Sequence, residues 1–211
     1  MSTKRNPSRI RATILAMLLT AVALASASPA RADDPMPLVQ TMVNQALAVL
    51  RDKQTPLAQR QDQLRKIVSA QFDFREMAKS ALGRHWREIT PAQQDEFTTA
   101  FIAFIEDSYL SQIDDYHGED VKFIKTKADD PGYAQVNTLI TQQDKDPIKV
   151  NYRLEQENGV WKIYDVTVDA ISIIANYRNQ FNRVMNNQGY DTLIADLKSK
   201  QESLAKSLAN H

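Results

Sequence analysis

The spacing of apolar residues changes period twice along this chain, and that change restricts the fold more than any other feature. Up to the polar stretch Asp114 to Asp120 apolar positions recur every three or four residues, as on one face of a helix. From Val121 to Val168 they recur every second residue, as on one face of a strand, and beyond Ser172 the helical spacing returns.

Val39, Val43, Leu47 and Leu50, with Ala46 on the same face, predict a first helix between Pro35 and Asp52. Thr55-Pro56 reads as an N-cap with proline at the first helical position, followed by the stripe Leu57, Leu64, Ile67 and Val68. Asp73 predicts a cap for a third helix carrying Phe74, Met77, Ala78, Ala81 and Leu82, which Gly83 ends. Thr90-Pro91 starts a long fourth with Phe97, Phe101, Phe104, Ile105 and Tyr109. Four strands follow, Val121 to Lys125, Tyr133 to Thr141, Ile148 to Glu155 and Val160 to Val168, the last two joined by the hairpin turn Asn158-Gly159. Ile174, Tyr177, Phe181 and Val184 mark one closing helix, and Tyr190, Ile194, Leu197 and Leu204 another after Gly189. The expectation is an α+β domain in which helices cover one face of a curved, roughly four-stranded antiparallel sheet. Such a layout can leave a cone between the layers.

Residues 1–32 read as a secretory signal peptide: a basic start to Arg11, an apolar run fourteen residues long from Ala12 to Ala25 that includes two threonines, and Ala30-Arg31-Ala32 at the expected cut after Ala32. That run is shorter than the ~20 residues a bilayer span needs. The remaining residues, 33–211, are expected to form a single domain, long enough to bury roughly 70% of the unfolded chain's surface. The whole chain balances 26 basic against 26 acidic residues, but five of the basic ones lie in the leader, so residues 33–211 carry a formal charge of −5. An acidic surface argues against nucleic acid as partner and against a membrane hold by charge. With no cysteine there is no disulfide, thiol nucleophile or thiolate metal site. The five glycines are at least fourteen residues apart, which excludes dinucleotide fingerprints, P-loops and nucleophile elbows.

Candidate chemistry is sparse. His85, His117 and His211 have no metal-ligand spacing, and His117 within Asp114 to Asp120 reads as part of a solvated connection. Ser172 reads as a helix cap. Asp165 follows Trp161 and Ile163 at spacing two and is expected to share their strand face, either as a buried base or, the favoured reading, as an acceptor for loop amides. Lys198, Lys200 and Lys206, interleaved with Asp196 and Glu202, describe the solvated face of a packed helix.

Several segments together resemble one family. Phe72-Asp73-Phe74, Met77-Ala78, Ala81-Leu82-Gly83-Arg84, Trp86, Thr90-Pro91 and Gln93-Gln94 with Phe97 and Phe101 come first. Gly159 to Val166, Ser172, Asn176-Tyr177-Arg178 and Gln180-Phe181 follow in the same order and spacing as in the MlaC or toluene-tolerance family of periplasmic lipid-binding proteins. The resemblance runs from about Met36 to about Lys200. One departure is Ala170, where that family usually has glycine before Ser172, which bears on the turn there.

The resemblance implies a cone similar to the nuclear-transport-factor fold, with acyl tails between sheet and helices and the headgroup near solvent. It implies a non-enzymatic, cofactor-free monomer. That monomer carries phospholipid between an outer-membrane lipoprotein-porin complex and an inner-membrane ABC transporter complex, maintaining outer-membrane lipid asymmetry. Two acyl chains of about thirty methylenes cost on the order of 24 kcal/mol to expose to water, so such a carrier needs a dry apolar cavity. The residues expected to line it are Ile148, Val150, Tyr152, Leu154, Trp161 and Ile163. The alternatives are an exported enzyme on the same fold using Asp165 or Tyr152 for proton transfer, and an adaptor that binds proteins only and has a filled core.

Overall fold

The computed structural model describes residues 34–111, 116–128, 130–143 and 145–209. The expected signal peptide and its cleavage after Ala32, the acidic pair Asp114 and Asp115, and His211 lie outside the described residues.

Among the described residues, six α-helices and five strands follow one another as α1 (Met36–Arg51), α2 (Leu57–Ser69), α3 (Phe74–Leu82), α4 (Pro91–Leu110), β1 (Asp120–Ala128), β2 (Tyr133–Thr141), β3 (Ile148–Glu157), β4 (Val160–Val168), β5 (Ile171–Ser172), α5 (Ile173–Gln188) and α6 (Tyr190–Ala209). A 3-10 turn, Gly83–Arg87, joins α3 to α4. The strands form one antiparallel meander in the order β1-β2-β3-β4-β5.

The local signals explain most of these boundaries. Asp73 accepts the Glu76 amide at 2.8 Å and starts α3. Thr90 and Gln93 form a reciprocal capping box on α4. The Ser172 hydroxyl accepts the Ala175 amide at 2.9 Å and starts α5. Gly83 sits at φ +62° where an added Cβ would lie 3.3 Å from Arg178 Cδ, and Arg178 donates to the Ser80 carbonyl at 2.6 Å, so α5 lies against the end of α3.

Three expectations need correction. Pro56 has an extended ψ of 144°, so α2 begins at Leu57, and the Thr55 hydroxyl donates to Asp52 instead of capping α2. The sheet has five strands, because Ile171-Ser172 turns back onto Val168 and Thr167. Asp165 does not share a ladder face with Trp161 and Ile163. Leu154 pairs with Ile163 but Arg153 pairs with Asp165, so Tyr164 is an inserted bulge residue that reverses the alternation.

Three hydrophobic clusters fill the layers. Val39, Met42 and Val43 of α1 lie on Ala134, Val136, Leu154, Trp161 and Ile163 of the sheet. Helices α3 to α6 enclose a second cluster, in which Phe97, Phe101, Tyr177 and Phe181 stack and meet edge to face at 5.6–5.8 Å. Leu64 and Leu110 centre a third with residues of α1 and α2 and Leu208 of α6. The second cluster is tied to the sheet along β4. Ile163 gives its amide to the Gln71 carbonyl at 2.9 Å and accepts the Asp73 amide at 2.8 Å, while Asp165 holds the start of α5.

Asp169 and Ala170 link β4 to β5 with φ of +46° and +70°. A two-residue hairpin link with both φ values positive selects glycine or asparagine, and an alanine there costs about 1–2 kcal/mol. Ala170→Gly is expected to raise stability by about 1 kcal/mol, a melting-temperature gain of about 2–4 °C. Thermal denaturation checks it, and an unchanged or lower midpoint would refute the strain at this turn.

Candidate functional site

Where the three clusters meet, the interior is not filled. An apolar cavity of about 220 Å³ opens there, between α2, α3 and α4 on one side and β4 and the start of α5 on the other. Leu64 and Val68 come from α2, Phe72 and Phe74 from the α2–α3 corner, and Met77 from α3. Ile105, Tyr109 and Leu110 come from α4, with Val166 and Ile173 closing the wall. Phe72 is held there by the backbone bridge of its segment to Ile163, and its ring stacks on Phe74 at 5.9 Å. The stripes of α2, α3 and α4 that periodicity reads as core therefore divide, part packing on neighbours and part facing this space.

Two charged side chains, Arg65 and Glu106, border the cavity. Arg65 donates to Asp107 at 2.9 Å and to Asp62 at 3.3 Å, and its Nε lies 3.8 Å from Glu106. Gln201 also donates to the buried Asp107, at 2.8 Å. Burial raises the Glu106 carboxyl above its ordinary range, against the opposing pull of Arg65 and the Ser69 hydroxyl. Tyr109, half-exposed at the rim, has its phenol pushed up to about 12 by burial beside the cavity.

The six residues expected to line a cavity are distributed otherwise. Leu154, Trp161 and Ile163 are buried in the filled layer under α1. Tyr152 is half-buried at the margin of that layer, its phenol raised to about 12 by burial. Val150 is buried, and Ile148 is 41% exposed at the strand's start. None of the six borders the cavity. The nearest by register are Tyr152, opposite Val166, and Val150, opposite Val168.

The other candidates are engaged structurally. Asp165 is buried, accepts the Ser172 hydroxyl at 2.7 Å and the Ile174 amide at 3.3 Å, and has Arg153 3.7 Å away. It is a structural acceptor, but for a hydroxyl and a first-turn amide of α5 and not for the loop amides expected, and it lies on the other ladder face. His85 is buried between Glu88, at 2.5 Å, and Asn182, at 3.0 Å. Among the described residues no group of His, Asp and Glu is placed to hold a metal, and no helix is long and apolar enough to cross a membrane.

The arrangement is an apolar cavity with a charged pair at its border. The MlaC protein family model matches residues 40–199, and the chain belongs to that family. The chain is 29% identical over 131 residues to the toluene tolerance protein ttg2D of Pseudomonas putida, covering 62% of this chain and 61% of that one, so it spans less than two thirds of that relative. It is 23% identical to the intermembrane phospholipid transport system binding protein MlaC of Haemophilus influenzae, over 88% of this chain and 90% of that one. A phospholipid-binding protein from Ralstonia solanacearum, solved in complex with a phospholipid, shares the fold with a TM-score of 0.73 at 23% identity. That match covers 82% of this chain and 99% of that one.

Two positions on the same ladder face of β4, one beside the cavity and one in the filled layer, are expected to respond differently to a buried charge. Val166→Asp puts a carboxylate against the cavity, where water can follow it, and is expected to abolish lipid uptake at a cost of about 2 kcal/mol, or about 4–8 °C in melting temperature. Ile163→Asp puts it in the filled layer and is expected to unfold the domain. Vesicle uptake and thermal melting on both variants check the contrast, and equal effects at the two positions would refute it.

Proposed function

We propose that the protein is a periplasmic phospholipid carrier that holds its ligand by the acyl tails. It takes the lipid from one membrane's complex and delivers it to the other's, without chemistry on the lipid. The observation that carries this reading is the apolar cavity at the junction of three filled clusters. An unfilled apolar space of 220 Å³ forfeits the packing contacts that a filled core makes. A sequence that closes its helices so tightly elsewhere has the residue types to fill such a gap, and keeping it fits a ligand of the same apolar character.

The cavity also bears on how loading proceeds. An apolar cavity of ~150 Å³ takes one benzene, so 220 Å³ holds roughly nine carbons against about thirty in two tails. Loading therefore widens the gap between β4 and the α2–α4 helices, which are joined to β4 chiefly at Gln71–Asp73 and at the start of α5. Widening there brings Tyr152 and Val150 within reach of the tails, and these two of the expected six are retained as lipid contacts. The transfer must happen while the carrier is docked, because tails crossing open water would forfeit on the order of 24 kcal/mol.

The printed names of the relatives and the phospholipid in the Ralstonia solanacearum structure support the ligand class. The leader read in residues 1–32 supports export, and the docking partners proposed are those that the family resemblance implies, an outer-membrane lipoprotein-porin complex and an inner-membrane ABC transporter complex. The enzyme alternative finds little to work with: Asp165 is spent on Ser172 and Ile174, and the Tyr152 phenol holds its proton far above neutral pH. Protein purified without detergent is expected to carry close to one molecule of glycerophospholipid per chain by native mass spectrometry. Folded protein that is lipid-free and takes up none from vesicles would favour the adaptor instead.

A further inference from the structure

Arg65 and Glu106 have two sides. One borders the apolar cavity; the other borders a water-facing groove between α2, α4 and α6, whose walls also include Gln61, Asp107 and Gln201. Ala58, Ala103 and Ala205, one from each helix, keep this groove open. The pair is thus a thin partition between an apolar compartment and a polar one.

The polar compartment contains groups whose hydrogen bonding is incomplete. Gln61 is 7% exposed, and its side-chain Nε2 has no hydrogen-bond partner among the described residues. A buried amide donor left unpaired is rare in folded proteins and needs an acceptor. Asp107 is fully engaged by Arg65 and Gln201. Glu106 is not: its contacts are the Ser69 hydroxyl at 3.3 Å and Arg65 Nε at 3.8 Å, both long for a charge-assisted bond. Arg65 reaches Asp62 only at 3.3 Å with the nitrogen that does not serve Asp107, so part of its fork is weakly used. One wall of the groove is therefore formed by a residue whose enclosed amide donor is unpaired and by a partly used guanidinium, and another by an underused carboxylate.

We infer that this groove receives the lipid's headgroup, and that its chemistry suits a phosphate ester bearing an ammonium group over one that is only anionic. The inference rests on the carrier reading above. The phosphate oxygens lie toward Gln61 Nε2 and Arg65, and the ammonium lies toward Glu106. The tails pass the Arg65–Glu106 partition into the cavity. With either lipid the phosphate, Glu106 and Asp107 place three negative groups around one guanidinium; the ammonium of the ethanolamine lipid offsets one of them, and the neutral glycerol of phosphatidylglycerol offsets none, which is the element that discriminates.

Delipidated protein incubated with vesicles of equal phosphatidylethanolamine and phosphatidylglycerol, then re-isolated and extracted for mass spectrometry, reads the preference directly. The parent is expected to hold the ethanolamine lipid in about threefold excess or more. Glu106→Gln, checked for an unchanged melting temperature, is expected to bring the ratio near one, whereas Gln61→Leu, which removes a donor to the phosphate common to both lipids, is expected to weaken uptake of both alike and leave the ratio unchanged. A parent ratio near one, or an excess that survives Glu106→Gln, overturns the headgroup assignment and leaves the carrier reading standing. Uptake of neither lipid overturns both. Glycerophosphoethanolamine, which has the headgroup without tails, is expected not to displace bound lipid at millimolar concentration. Saturable displacement by it would identify a soluble phosphate ester as the groove's ligand and overturn the lipid assignment.

Discussion

The β4 edge carries the attachment on which the rest of this structure depends. Ile163 gives both of its backbone groups to Gln71–Asp73, and two residues later Asp165 fixes the first turn of α5 through Ser172 and Ile174. Backbone groups at a sheet edge must be paired or wetted, and here the helical layer does the pairing. Joined along one strand, the helices of α2 to α5 meet the sheet like a hinged cover, with α1 filling the region over β2 to β4 that the cover does not reach. The wedge left between the cover and β4 is the cavity.

A cavity of this size removes packing contacts from a domain whose total stability runs only about 5–15 kcal/mol. The compensation is visible in the flanking clusters. The second cluster combines stacked and edge-to-face rings from α4 and α5, and α1 buries Val39 completely against the sheet. Asp107, buried with Arg65 and Gln201, binds α2, α4 and α6 together on the polar side of the partition. The walls are thus held from behind, which lets their inner surfaces stay unfilled without the helices collapsing onto β4.

Much of this architecture is legible in the sequence. Asp73, Thr90 and Ser172 cap the helices expected of them, and β2 and β4 run over the expected residues. The side-chain assignments inside the sheet are less legible for a definite reason. Alternation predicts a face only while the register holds, and the bulge at Tyr164 reverses it, so Trp161, Ile163 and Asp165 do not form one row. Periodicity has a second blind spot. It identifies Leu64, Val68, Met77 and Ile105 as apolar-facing, but filled core and cavity wall use the same residue types, and only the separation of the opposing layer tells them apart. The half-buried contacts of Arg65 with Glu106 and Asp107 join α2 to α4 across forty residues of sequence and follow no local pattern.

The central claim is that lipid tails occupy the wedge between β4 and helices α2 to α4, and not the layer beneath α1. Isotope-filtered NMR of methyl-labelled protein loaded with unlabelled phospholipid measures this directly. The account predicts cross-peaks from acyl methylenes to the methyl groups of Met77, Ile105, Val166 and Ile173, and none to Val39, Leu154 or Ile163. Cross-peaks confined to the second set would contradict it.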